Sequence, residues 1–128
     1  MENESIVTRV SRIWLGEDGI IRVIHFPGAK LTLENAKDSM AAYQKLNKGK
    51  RRPIFIDIKT LKDFSREARQ YFAGEYAAKA SLAAAIIVGS PVSRVLGNFY
   101  LGISNPILPT RIFSSEDEAL EWLKGYIE

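Results

Sequence analysis

The chain has 128 residues, a net charge of +3 and no cysteine. That length suits one domain, residues 1–128, with a sizeable core, and the missing thiols exclude disulfides, Cys-ligated zinc and thiol catalysis while fitting a reducing compartment. The acidic, polar start from Met1 to Ser5 lacks the parts of a signal peptide, and the longest apolar run, Leu82–Val88, is far below the ~20 residues that span a bilayer, so a soluble, cytoplasmic protein is expected.

Strands are expected over Ile6–Leu15 and Ile20–Phe26, joined by residues 16–19, where Asp18 and Gly19 form a strong hairpin signal. In the second strand Ile20, Arg22, Ile24 and Phe26 share one face, and Ile21, Val23 and His25 the other. Thr32 caps a helix that runs to Asn47 on an apolar stripe of Leu33, Ala36, Met40, Tyr43 and Leu46, and Gly49 ends it. Lys45, Lys48, Lys50, Arg51 and Arg52 cluster at this end, where cations suit the helix dipole. A solvated loop at a helix end explains them, and the alternative is an anionic partner: nucleic acid, against which the lack of interleaved aromatic residues argues, an acidic protein face, or the peripheral surface of an anionic membrane.

Pro53–Ile58 reads as a buried strand, Lys59–Phe64 as a loop, and Ser65–Lys79 as a helix capped by Ser65. Its inward residues are Ala68, Tyr71, Phe72 and Tyr76, and Gly74 weakens it. A second buried strand, Ala83–Val88, turns at Gly89, Ser90 and Pro91 into a helix over Val92–Ile103. Val92, Val95, Leu96, Phe99 and Ile103 keep a helical period and are expected in the core. Leu101 lies off that stripe and Tyr100 at its edge, so both are expected to face solvent or a partner. Thr110–Phe113 is a last strand, and Ser115 with Glu118 forms a capping box for a final helix that buries Ala119, Leu120, Leu123 and Ile127. The order ββαβαβαβα is that of an α/β fold: an N-terminal hairpin feeding a mostly parallel, mixed sheet with four helices.

This order resembles the STAS domain, the family named for sulfate transporters and the bacterial anti-sigma-factor antagonists. More closely, the segments ARQYF, AAAIIVGSPVSRVLGNFYL and FSSEDEALEWL are similar to small bacterial STAS-like proteins that are also compared with lipid-binding CRAL-TRIO domains. The resemblance covers nearly the whole chain and implies a non-enzymatic regulatory module that binds another protein. Regulatory members carry an Asp-Ser-Ser-Gly-like motif where the loop after a central strand enters a helix, and a partner kinase phosphorylates its serine. Counted on from Asp57, that place is residues 65–68, which read Ser-Arg-Glu-Ala. The paired serines and the glycine are missing; Ser65 remains, with Thr60 upstream, and a helix cap explains Ser65.

Catalytic signals are weak. His25 is the single histidine, no GxSxG or metal-ligand spacing occurs, and Glu116, Asp117 and Glu118 read as complements to a helix dipole. No metal or cofactor is expected. The partner- or anion-binding surface is expected at the carboxyl ends of the strands, from Asp57, Lys59, Thr60, Ser65, Arg66, Ser90, Ser93 and Arg94, with Tyr100 and Leu101 as an apolar anchor for a partner or a second copy. The alternative is a carrier of a small apolar or lipid ligand, with Tyr71, Phe72, Tyr76, Phe99 and Tyr100 lining its pocket.

Overall fold

A computed structural model describes residues 5–127, so the acidic start lies outside it apart from Ser5. The first expected strand is two: β1 (Ser5–Val7) folds back antiparallel on β2 (Ser11–Leu15), with Ile6 opposite Ile13. The Thr8 hydroxyl closes the turn by accepting the Ser11 and Val10 amides at 3.0 and 3.2 Å. β3 (Ile21–His25) pairs with β2 through the expected turn, where Gly19 has φ of 85°. Asp18 fixes that turn by accepting the Ile20 amide and a two-point bond from Arg22 at 2.8 Å.

A two-residue ladder that the sequence reading missed joins β4 (Lys30–Leu31) to β6 (Asp63–Phe64). Between them in the chain come α1 (Leu33–Asn47) and the central strand β5 (Arg52–Asp57). Ala36, Met40, Tyr43 and Leu46 of α1 are buried as expected, although Lys48, not Gly49, takes the first left-handed position at its end. The helix expected over residues 65–79 is α2 (Arg66–Ala73) and α3 (Glu75–Ala80), because Gly74 adopts an extended conformation between them. The chain therefore has five α-helices among the described residues, one more than expected.

β7 (Ser81–Ile87) and β8 (Thr110–Phe113) complete a six-stranded sheet of order β1-β2-β3-β5-β7-β8. The pairs β3–β5, β5–β7 and β7–β8 are parallel, as the alternating strand–helix order requires. α1, α2, α3 and α4 (Pro91–Phe99) pack on one face, and α5 (Glu116–Lys124) on the other. Ile127, expected inward, lies beyond the end of α5 and is exposed. Ser115 accepts the Glu118 amide at 3.3 Å, but the reciprocal capping box is found on α4 instead.

The face that α4 buries is also not the one its apolar period suggests. Ser93, Leu96, Gly97 and Tyr100 face the sheet, while Val92, Val95, Phe99 and Ile103 are exposed. Gly97 explains the choice: a Cβ there would lie 3.1 Å from Ile112 and 3.3 Å from Val88, so α4 sits on the sheet by its smallest residues. A π turn over Tyr100–Ser104 continues α4 and ends at Asn105 in a left-handed conformation. Among the described residues no helix is long and apolar enough to cross a membrane.

Candidate functional site

The carboxyl ends of β5, β7 and β8 bring three loops together around Lys59. Its ammonium lies 3.3 Å from Asp57 and 3.1 Å from Glu116. The Glu116 carboxylate does most to hold the Lys59 ammonium above its ordinary pKa; burial opposes it, and Asp57 adds to the rise. Asp57 is buried and accepts the Lys59 amide at 2.9 Å, so this carboxylate in an apolar strand closes its own loop. Lys59 lies across Gly89, where a Cβ would come within 2.9 Å of its side chain. Sequence reasoning missed Glu116 as a partner, because only the β5–β7–β8 pairing carries it to a lysine 57 positions away.

Ser90 and Ser93 form the start of α4. The Ser93 hydroxyl accepts the Gly89 and Ser90 amides at 3.0 and 2.9 Å, and the Ser90 hydroxyl accepts the Ser93 amide at 3.0 Å. Ser90 donates to the Lys59 carbonyl at 3.1 Å, which ties two loops together. Pro91 has no N–H, so this helix start keeps little free donor capacity for an anion. Ser93 is fully buried, which removes it, like Asp57, from direct contact with a partner.

The other expected residues divide by exposure. Thr60 is held by its hydroxyl, 3.4 Å from the His25 carbonyl, and Ser65 caps α2 by accepting the Ala68 amide at 3.1 Å. Arg66 and Arg94 are exposed and form no ion pair among the described residues. Tyr100 corrects the expectation of a surface anchor: it is only 5% exposed and stacks on Phe64 at 5.4 Å, because the sheet-facing side of α4 continues into the π turn. Leu101 is half-buried beside it. In the basic cluster, Arg51 donates to the Ala78 and Ser81 carbonyls and Arg52 to that of Asn47, so both arginines secure helix ends.

His25 is 4% exposed, and its Nδ1 is 2.9 Å from the Asp57 carbonyl. A carbonyl only accepts, so Nδ1 carries the proton of the neutral ring. Burial pushes the His25 pKa down; the Asp57 carbonyl opposes this but does not reverse it. The unfolded chain then takes up a proton near 6.5 while the native one resists until lower pH. The contribution is present above that value and is lost as pH falls through it, by at most about 1.4 kcal/mol per pH unit. Urea midpoints at about pH 7.5 and about pH 5.5 should therefore differ more for the wild type than for His25→Gln; equal differences would contradict this coupling.

His25 also lines a cavity between the sheet and the helices, with Tyr43, Phe72, Tyr100 and Leu108 among the other walls. Burial raises the pKa of both phenols, so they stay neutral. The cavity has a volume of about 40 Å³, where about 10–15 Å³ is enough to hold one water. Of the aromatic residues expected to line a pocket, Phe72 and Tyr100 do so; Tyr71 is half-buried outside its walls, and Tyr76 and Phe99 are on the surface. Among the described residues no group of histidine and carboxylate side chains could hold a metal ion.

A mostly parallel sheet with this strand order and helix placement defines an α/β domain with a STAS-like, SpoIIAA-like fold. The chain belongs to the family described as Domain of unknown function (DUF7793), which it matches over residues 13–127. No curated protein matches it. Among solved structures it is similar to an uncharacterized protein of the DUF3478 family with a SpoIIAA-like fold from Shewanella loihica PV-4, at a TM-score of 0.57 and 17% identity over 95% of this chain and 92% of that one. It is also similar to an anti-sigma factor antagonist from Mycobacterium paratuberculosis, at 0.59 and 13% over 96% and 95% of the two chains. Unphosphorylated SpoIIAA, an anti-sigma factor antagonist, gives 0.52 and 15% over 97% and 99%. At these identities the likeness is one of fold.

Proposed function

We propose that the chain is a non-enzymatic regulatory module that acts by binding another protein. The observation that carries this reading is how the polar groups at the strand ends are used. Asp57, Lys59, Glu116, Ser90 and Ser93 satisfy one another and fix the turn before Arg94, while Arg66 follows the Ser65 cap of α2; both arginines face solvent without carboxylate partners among the described residues. Such an arrangement suits recognition by positioned charge. It shows no activated serine, since the single histidine is buried and its ring hydrogen bond goes to the Asp57 carbonyl. Two of the fold's neighbours bear the name anti-sigma factor antagonist, which agrees with a partner that is a protein.

The carrier reading has less support. A cavity of about 40 Å³ has room for a few waters, so an acyl chain enters only if the helical layer moves off the sheet.

The test is a quantitative pull-down from the source organism with wild-type bait and with the double variant Arg66→Glu, Arg94→Glu. One stoichiometric protein is expected on the wild type and at least about tenfold less on the variant, whose circular dichroism should be unchanged. Absence of any stoichiometric partner would remove the module reading, and equal recovery on both baits would remove these arginines from it.

A further inference from the structure

We propose that the outward face of α4 and its π turn is a docking seam for an acidic amphipathic helix of a partner protein. This rests on the protein-binding reading above and gives the partner its chemistry. Val92 is 53%, Val95 55%, Phe99 46% and Ile103 69% exposed, an arrangement that costs solubility unless something covers it.

The four residues form one line. At about 100° per residue Val92, Val95 and Phe99 fall within an arc of about 60°. The wider π turn holds one more residue than an α turn, which keeps Ile103 on the same line. The result is a narrow seam of about three turns with spacings of three and four, the pattern by which one helix receives the side chains of another. A helix that lies in a lipid surface needs a broader apolar face, so the geometry favours a helical occupant over a membrane.

The charge beside the seam selects the occupant further. Residues 91–109 contain no aspartate or glutamate, and Arg94 is their one charged residue, set on the exposed side of α4 away from α2. On the other side the Arg69 guanidinium of α2 lies over the Phe99 ring, 5.8 Å from its centroid, and Arg66 stands one turn earlier on the same helix. Arg69 donates to the Phe64 carbonyl, but its Nε is buried without a hydrogen-bond partner. None of these three arginines forms an ion pair among the described residues, including with Glu67, the one carboxylate of α2. Guanidinium groups on both sides of an apolar line match a helix with apolar residues along its centre and carboxylates on its flanks. A second copy of α4 offers no carboxylate to any of them.

A display library of helices about 18 residues long tests this, with apolar central positions and flanks drawn from Glu, Lys, Gln and Ser. Selection on the wild-type protein is expected to enrich Glu at the flanks. The selected helices should bind Val95→Asp at least about tenfold more weakly, and Arg66→Glu, Arg94→Glu should shift the preference towards Lys. Both variants alter exposed side chains, and hydrogen exchange of the unbound proteins should match the wild type. Failure to enrich, neutral flanks, or binding unaffected by Val95→Asp would overturn the seam. So would binding to vesicles of phosphatidylglycerol that Val95→Asp abolishes, or a wild-type dimer that the same change dissociates. A partner captured in the pull-down that Val95→Asp still binds would overturn the seam while leaving the module reading intact.

Discussion

Replacing Ser93 by alanine is expected to destabilise the protein by about 1.5–3 kcal/mol, more than a typical exposed helix cap. Its hydroxyl lone pairs are filled by the Gly89 and Ser90 amides, and its proton goes to the Ser90 carbonyl at 3.0 Å. The side chain is fully buried, so alanine removes one acceptor that serves two amides at once, although Gly89 is exposed and Ser90 half-buried, so water replaces part of what is lost. A fully buried, unsatisfied group costs about 1–3 kcal/mol, and a partly hydrated one sits at the low end of that range. Ser90→Ala is expected to cost only about 1 kcal/mol, because that residue is half-buried and water can replace its oxygen. Urea unfolding of the two variants checks this. A loss below about 1 kcal/mol for Ser93→Ala would mean that the amides find other acceptors. The same hydroxyl fixes the turn before Arg94, so its loss should also weaken capture of a protein partner.

Leu123→Ala is expected to cost about 3–5 kcal/mol, in the upper part of the range for buried leucines. Among the described residues α5 is the one helix on its face of the sheet, and Leu123 is fully buried there with Ile20, Phe55 and Ile87. The floor beneath it includes Ala83 and Ala85, side chains too short to lean into the space that opens. A cavity that cannot collapse retains its full cost. Leu120→Ala, at a half-buried position on the same helix, is expected to lose about 1–2 kcal/mol. Thermal and urea unfolding measure both, and similar small losses for the two would show that α5 re-seats.

The parallel centre of the sheet was legible because residues 53–58 and 83–88 are continuous apolar runs, the mark of strands covered on both faces. Helix starts at Thr32, Ser65, Ser90 and Ser115 were legible through their hydroxyls, since a cap is a local bond. The break between β1 and β2 was not, because Thr8 makes the turn without glycine or proline and the apolar pattern runs past it. The face of α4 was misread for a different reason. Periodicity ranks positions by apolarity, but proximity to the sheet ranked them by size, and Ser93 and Gly97 went inward ahead of Val95 and Phe99. The signal that was there to be used is the small-residue line from Ser93 to Gly97 on the side opposite the bulky one. Of the candidate site, the sequence located the loops but not their wiring, because the Lys59–Glu116 pair depends wholly on strand order.

The position of Lys59 has a mechanical meaning. One ammonium on a flexible stem is shared by the end of β5 and the start of α5, while the backbone carbonyl of the same residue holds the loop before α4. Three segments that belong to different crossovers thus have a common fastener and respond to strain as one stiff rim. A load applied to any one of them is spread over the sheet through all three.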